Sequence, residues 1–211
     1  MRLFLKIFVA VILVHLVWNF RSCSYSILNP SILSERAKMN AVMKVERNYG
    51  AEIERICEEL EAPSEYFKAL VLLECSAQNP PQSRYEPNVF EKLKAVQEGK
   101  IKKYANLTQK DLEPYSTREL TMLATSWGAL QIMGYHVVKE GLTIDDLNGD
   151  KGLQIAIQWC IATYGKYLEK GDYKNAFHIH NTGKEHPIFW QAKTHDPLYV
   201  DKGLIYISSL K

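Results

Sequence analysis

Apolar residues recur along this chain with the helical period, and polar or proline-containing breaks cut the pattern into separate segments. Ile53, Ile56, Cys57 and Leu60 share one face of a helix over 51–60. Pro63 breaks that run, and Ser64 supplies an N-cap for a second helix carrying Phe67, Leu70, Val71 and Leu73. Positions 69–73 are apolar all round, which predicts burial on every side. Asn79-Pro80-Pro81 cannot continue a helix, so this one is expected to end at Glu74. Positions 85–90 read as a short strand or extended turn, and 90–104 as an exposed helix whose lysines form a solvated face. Thr117 starts a helix expected to run into 126–133, and Thr143 caps a short turn. A strong amphipathic helix over 151–168 carries Leu153, Ile157, Cys160, Ile161 and Tyr164 on its apolar side. A short helix over 172–180 breaks at Gly183, and Asp196 opens a last one with Val200, Leu204 and Ile207 facing inward. Period-two alternation over several strands is absent, as is any internal repeat. The expectation is a mainly α domain with at most a short β element.

The N-terminus has a different character. Arg2 and Lys6 precede an apolar run from Ile7 to Val17, and Arg21 follows it. This is the layout of a secretory signal, with Ser22-Cys23-Ser24 as a small-residue cleavage site. An uncleaved anchor is the competing reading, because the run with Trp18 to Phe20 approaches the ~20 residues of a membrane span. Lipidation at Cys23 is a third, although Phe20-Arg21-Ser22 makes a poor lipobox. All three place the domain outside the cytoplasm: secreted, periplasmic, or anchored on the outer side of the inner membrane. The chain divides into 1–24 as signal or anchor, 25–48 as linker or leading helix, and 49–211 as the domain. Its 211 residues carry 26 basic and 24 acidic side chains, a formal net charge of +2. No clustered basic face points to nucleic acid. The four cysteines show no metal or disulfide spacing and read as buried small hydrophobes. The chain is read as a monomer with no cofactor and no metal. His178 and His180 could suggest zinc, but residues two apart do not share a helix face.

Glu74 is the most informative residue. It closes an apolar helix where the chain turns into a proline-rich loop, and an ionised carboxylate is costly to hold there. A carboxyl that stays protonated is what glycoside cleavage needs, because it must protonate the leaving oxygen. The bland alternative is an ordinary helix-terminal glutamate with its head in water. The segment 126–135 is the second unusual feature. Ser126 can cap a helix, Gly128 permits close approach of backbone or sugar, and Gln131 can both donate to and accept from a substrate. Ile132 and Met133 would pack beneath such a site, and Trp127 would anchor the core under it.

Glu74-Cys75-Ser76, Tyr85-Glu86-Pro87-Asn88-Val89-Phe90 and the run Ser126-Trp127-Gly128-Ala129-Leu130-Gln131-Ile132-Met133-Gly134-Tyr135 together resemble the N-acetylmuramidase domain of phage endolysins and bacterial cell-wall enzymes. That family belongs to the lysozyme-like superfamily, with goose-type lysozymes and soluble lytic transglycosylases. The resemblance runs from about Leu60 to the C-terminus. It implies a lysozyme-like helical domain whose substrate is the glycan strand of peptidoglycan. It implies Glu74 as the acid, and Ser126, Gly128, Gln131, Ile132, Met133, Tyr135, His180 and Asn181 as the cleft. His180-Asn181-Thr182-Gly183 is similar to the Tyr-Asn-Gly segment of these enzymes, with His180 replacing the tyrosine. The family usually follows its glutamate with Ser-Gly-Gly, where this chain has Cys75-Ser76-Ala77.

Inverting hydrolysis needs a second carboxylate about 6.5–9.5 Å from the first. No acidic residue lies between Glu74 and Glu86, so Glu86 is the nearest candidate base. Its other reading is structural, tying the extended segment to a neighbouring helix. Without a base, a single carboxylate suffices for a lytic transglycosylase, which closes a 1,6-anhydro ring on muramic acid. Tyr164, Tyr167 and Tyr173 read as core or rim packing, with one or two able to stack on sugar. A non-catalytic wall-binding module and a membrane-anchored structural domain are the readings outside enzymology.

Overall fold

The computed structural model describes residues 33–188 and 191–211. The signal, anchor and lipidation readings fall outside these residues. The described chain is mainly helical with one small antiparallel sheet. Within it, no helix is long and apolar enough to cross a membrane.

The first helix, α1 (Glu35–Val45), passes through one wide turn (Glu46–Gly50) directly into α2 (Ala51–Glu59). The leading segment is therefore part of the compact unit, which begins at Glu35 rather than near Tyr49. Val45 explains why: it is fully buried, so the core already claims this helix. Lys68 secures the join, with its Nζ 2.8 Å from Glu46 and 2.6 Å from Glu54.

Helix α3 (Ser64–Cys75) is the central element. Every residue from Tyr66 to Leu72 is buried, the ion-paired Lys68 included, as the apolar residues around it dictate. Each large apolar side chain removed from water there contributes ~1.5–3 kcal/mol. The helix ends one residue later than expected, with Ser76 (φ 52°) and Ala77 (φ 50°) both left-handed. Their amides return to the carbonyls of Leu72 and Val71 at 3.2 and 3.3 Å.

Arg84–Tyr85 forms β1, and Pro87 then occupies the first turn of α4 (Pro87–Gln97), which starts and stops earlier than the expected 90–104. Short helices α5 (Gln109–Leu112) and α6 (Thr117–Leu123) follow, both with reciprocal capping boxes. Here the chain departs from expectation: α6 does not run into 126–133. Instead Thr125–Trp127 (β2) and Ile132–Met133 (β3) form a hairpin, and the sheet order is β1-β2-β3. Ser126 pairs with Arg84 on one side and Met133 on the other, so it is a buried strand residue and not a helix cap. Gly128 and Gln131 turn the hairpin at φ 73° and 50°. A side chain at Gly128 would lie 2.9 Å from the Leu147 carbonyl. The close approach foreseen there is another stretch of backbone.

After α7 (Val137–Glu140) and α8 (Ile144–Asn148) comes α9 (Gly152–Leu168). Its buried face is Ala156, Ile157, Cys160, Tyr164 and Leu168, slightly rotated from the expected one, and Tyr164 (φ −142°) kinks it. Asp172 caps α10 (Tyr173–Thr182), which Gly183 ends with positive φ. Asp196 organises the entry to α11 (Tyr199–Leu210), accepting from the Leu198 amide and pairing with Lys202. Helix α11 packs most extensively on α3 and crosses α10 closely, since a side chain at Gly203 would strike the Phe177 ring at 2.6 Å.

Candidate active site

Glu74 sits on the last turn of α3 with its side chain 16% exposed, reachable yet largely dry. The Tyr199 hydroxyl, from the first turn of α11, donates to its Oε1. His180 Nε2, from α10, stands 3.7 Å from the same oxygen. Among the described residues no hydrogen bond reaches Oε2.

His180 is held on both nitrogens. Its Nδ1 lies 3.0 Å from the Tyr164 hydroxyl and its Nε2 3.1 Å from the Leu130 carbonyl. Since Leu130 can only accept, Nε2 carries the proton and Nδ1 accepts from Tyr164. Burial pushes the imidazole below its ordinary value, so it is neutral and forms no ion pair with Glu74. Burial also pushes the phenols of Tyr66, Tyr164 and Tyr199 well above their usual range, so they stay protonated and neutral. Glu74 is thus surrounded by neutral groups, and Leu130 ties the β2–β3 hairpin to the same imidazole.

The loop after Glu74 is clamped from α1 and the turn that follows it. Lys44 Nζ donates to the Ser76 carbonyl at 2.7 Å, Asn48 Nδ2 to that of Ala77 at 2.8 Å, and the Tyr49 hydroxyl to that of Gln78. Cys75 turns its sulfur toward the Val71 carbonyl, 3.4 Å away. Cys57, Cys75 and Cys160 are unpaired, and burial lifts the thiols of Cys57 and Cys160 to about 12.

The other foreseen residues divide. The Gln131 amide is spent inside the hairpin: Nε2 donates to the carbonyls of Gln82 and Gly128, each at 2.9 Å, and Oε1 accepts from Ser126 at 2.7 Å. It locks the turn rather than offering a free amide to a ligand. Ile132 is buried beneath and Met133 half-buried. Trp127 is half-buried, with Nε1 on the Met122 carbonyl. Tyr135 is half-buried, its phenol lifted to about 12 by burial. Asn181 is exposed, since the next residue along a helix points elsewhere than His180. Glu86 pairs with Arg84 at 2.9 Å, and its backbone ties β1 to α6 through the Ala124 carbonyl. His178 is a structural histidine, bonded to the Lys184 carbonyl and the Lys193 amide. Among the described residues no group of side chains could hold a metal ion.

Tyr199 and the donor role of Tyr164 were not foreseen from the sequence. The only trace of either is an aromatic residue at a helix start and another on a buried face, both ordinary core positions. Comparison with protein-family models, with curated proteins and with solved structures gives no match.

Proposed function

We propose that this chain cleaves the β-1,4 bond between N-acetylmuramic acid and N-acetylglucosamine in peptidoglycan, with Glu74 as general acid. One observation carries the reading: a largely dry carboxyl among neutral groups, with one oxygen held and the other without a hydrogen bond among the described residues. Because the Tyr199 hydroxyl donates to Oε1, a proton on the acid belongs on Oε2, the oxygen left for substrate. Oε2 passes that proton to the glycosidic oxygen as the bond to the sugar C1 breaks. In hydrolysis, water adds its oxygen to C1 and gives up a proton to the carboxylate left on Glu74, which restores the acid. The motif resemblance supports the same substrate and a lysozyme-like kinship.

The pairing of Glu86 with Arg84 favours a second reading of the later step. With Glu86 already engaged by Arg84, Glu74 alone can close a 1,6-anhydro ring by taking the proton of the muramic 6-hydroxyl as its oxygen bonds to C1. Mass analysis of muropeptides released from purified sacculi decides between them: reducing ends mean hydrolysis, anhydro ends transglycosylation. Glu74→Gln should lower product release by at least ~10²-fold, the usual scale for losing a positioned acid. Equal release by wild type and variant, or none from wild type, would sink the assignment.

A further inference from the structure

A continuous run of rings leads away from the Glu74 pocket. Trp159 meets His180 with ring centroids 6.4 Å apart, His136 meets Trp159 at 4.6 Å, Tyr135 meets His136 at 4.4 Å, and Tyr104 meets Tyr135 at 5.8 Å. Through His180 the run ends beside the candidate acid. These four rings all remain partly exposed, whereas the core aromatics Tyr66, Tyr164 and Phe177 are fully buried. They also come from separate places: the loop before α5, the turn after β3, and α9. No single helix face generates such a line; the fold assembles it.

Its chemistry suits one kind of occupant. The rings are uncharged, because burial holds His136 near 4 and so neutral. A ring face carries the negative side of its quadrupole. A β-linked pyranose turns its axial C–H bonds, weakly positive and apolar, to its two faces. Aromatic side chains offer large area at little entropic cost when such a ring lies on them.

Resting on the glycosidase reading, we infer that Tyr135, His136 and Trp159 form a sugar-stacking floor that leads to Glu74. The occupant is a β-1,4-linked chain of N-acetylated amino sugars. Neither His136 nor Trp159 stands out in the sequence as a binding residue.

Calorimetric titration of the full chain carrying Glu74→Gln, with the tetrasaccharide of alternating N-acetylglucosamine and N-acetylmuramic acid, tests this without turnover. Adding Trp159→Ala should weaken binding about tenfold or more, while Trp159→Phe, which keeps a ring, stays within ~3-fold. His136→Ala should weaken binding in the same direction, and thermal midpoints show which variants remain folded. Unchanged affinity in folded Trp159→Ala and His136→Ala proteins overturns the stacking floor alone, provided wild type still releases muropeptides from sacculi. No binding by Glu74→Gln together with no release by wild type overturns the floor and the glycosidase reading together.

Discussion

Two histidines in this protein are kept neutral by where they sit. Burial lowers His136 to about 4 from 6.5, and lowers His180 as well. Between those two values the unfolded chain binds a proton at residue 136 that the folded chain refuses. The stabilisation is full above pH 6.5 and is lost as pH falls through about 4. The thermal midpoint should therefore drop across that window, and His136→Phe should drop less. Parallel midpoints for the two proteins from pH 7 to 4 would refute this account. The same logic governs the site: a neutral His180 positions the hairpin without adding charge beside Glu74.

At the scale of elements, the decisive feature is how α3 ends. Ser76 and Ala77 hold left-handed backbone, a conformation that favours glycine. Left-handed backbone costs a residue with a Cβ ~1–2 kcal/mol, partly offset because glycine loses more entropy on folding. Exposed Ser76→Gly should therefore stabilise the fold by about 1 kcal/mol, read from chemical denaturation. Ala77→Gly should gain little, since Ala77 is fully buried and its lost methyl offsets the relief. Helix extents were largely legible from periodicity, as at α3, α9 and α10. Ser64 is not the cap expected of it: it is the first helical residue, after Pro63, and no side chain caps that end. The 126–133 hairpin was not legible, because Thr117 to Leu123 and the mostly apolar 129–133 share a helix-compatible pattern. Positive φ at Gly128 and Gln131 broke that pattern, and only one of those residues is a glycine.

For the whole molecule, the leading helix is part of the machine. Removing residues before Tyr49 deletes buried Val45, one of the two carboxylates on Lys68, and the Lys44 and Asn48 bonds to the loop after Glu74. A chain begun at Tyr49 should melt roughly 10 °C below one begun at Leu33, as a loss of several kcal/mol implies for this size. Equal melting points would show that α1 is dispensable. The sequence by itself determined the mainly α class, the buried run of α3 and the position of Glu74 at its end. Those follow from local spacing, which the chain carries residue by residue. Only the tertiary structure decided what surrounds that carboxyl. Tyr199, His180 and Leu130 lie far from Glu74 along the chain, and nothing local encodes which donor meets which oxygen. It likewise turned Gln131 into a lock for the hairpin, and lined up Trp159 and His136 toward the Glu74 carboxyl, because hydrogen bonds and ring contacts are settled by packing in three dimensions.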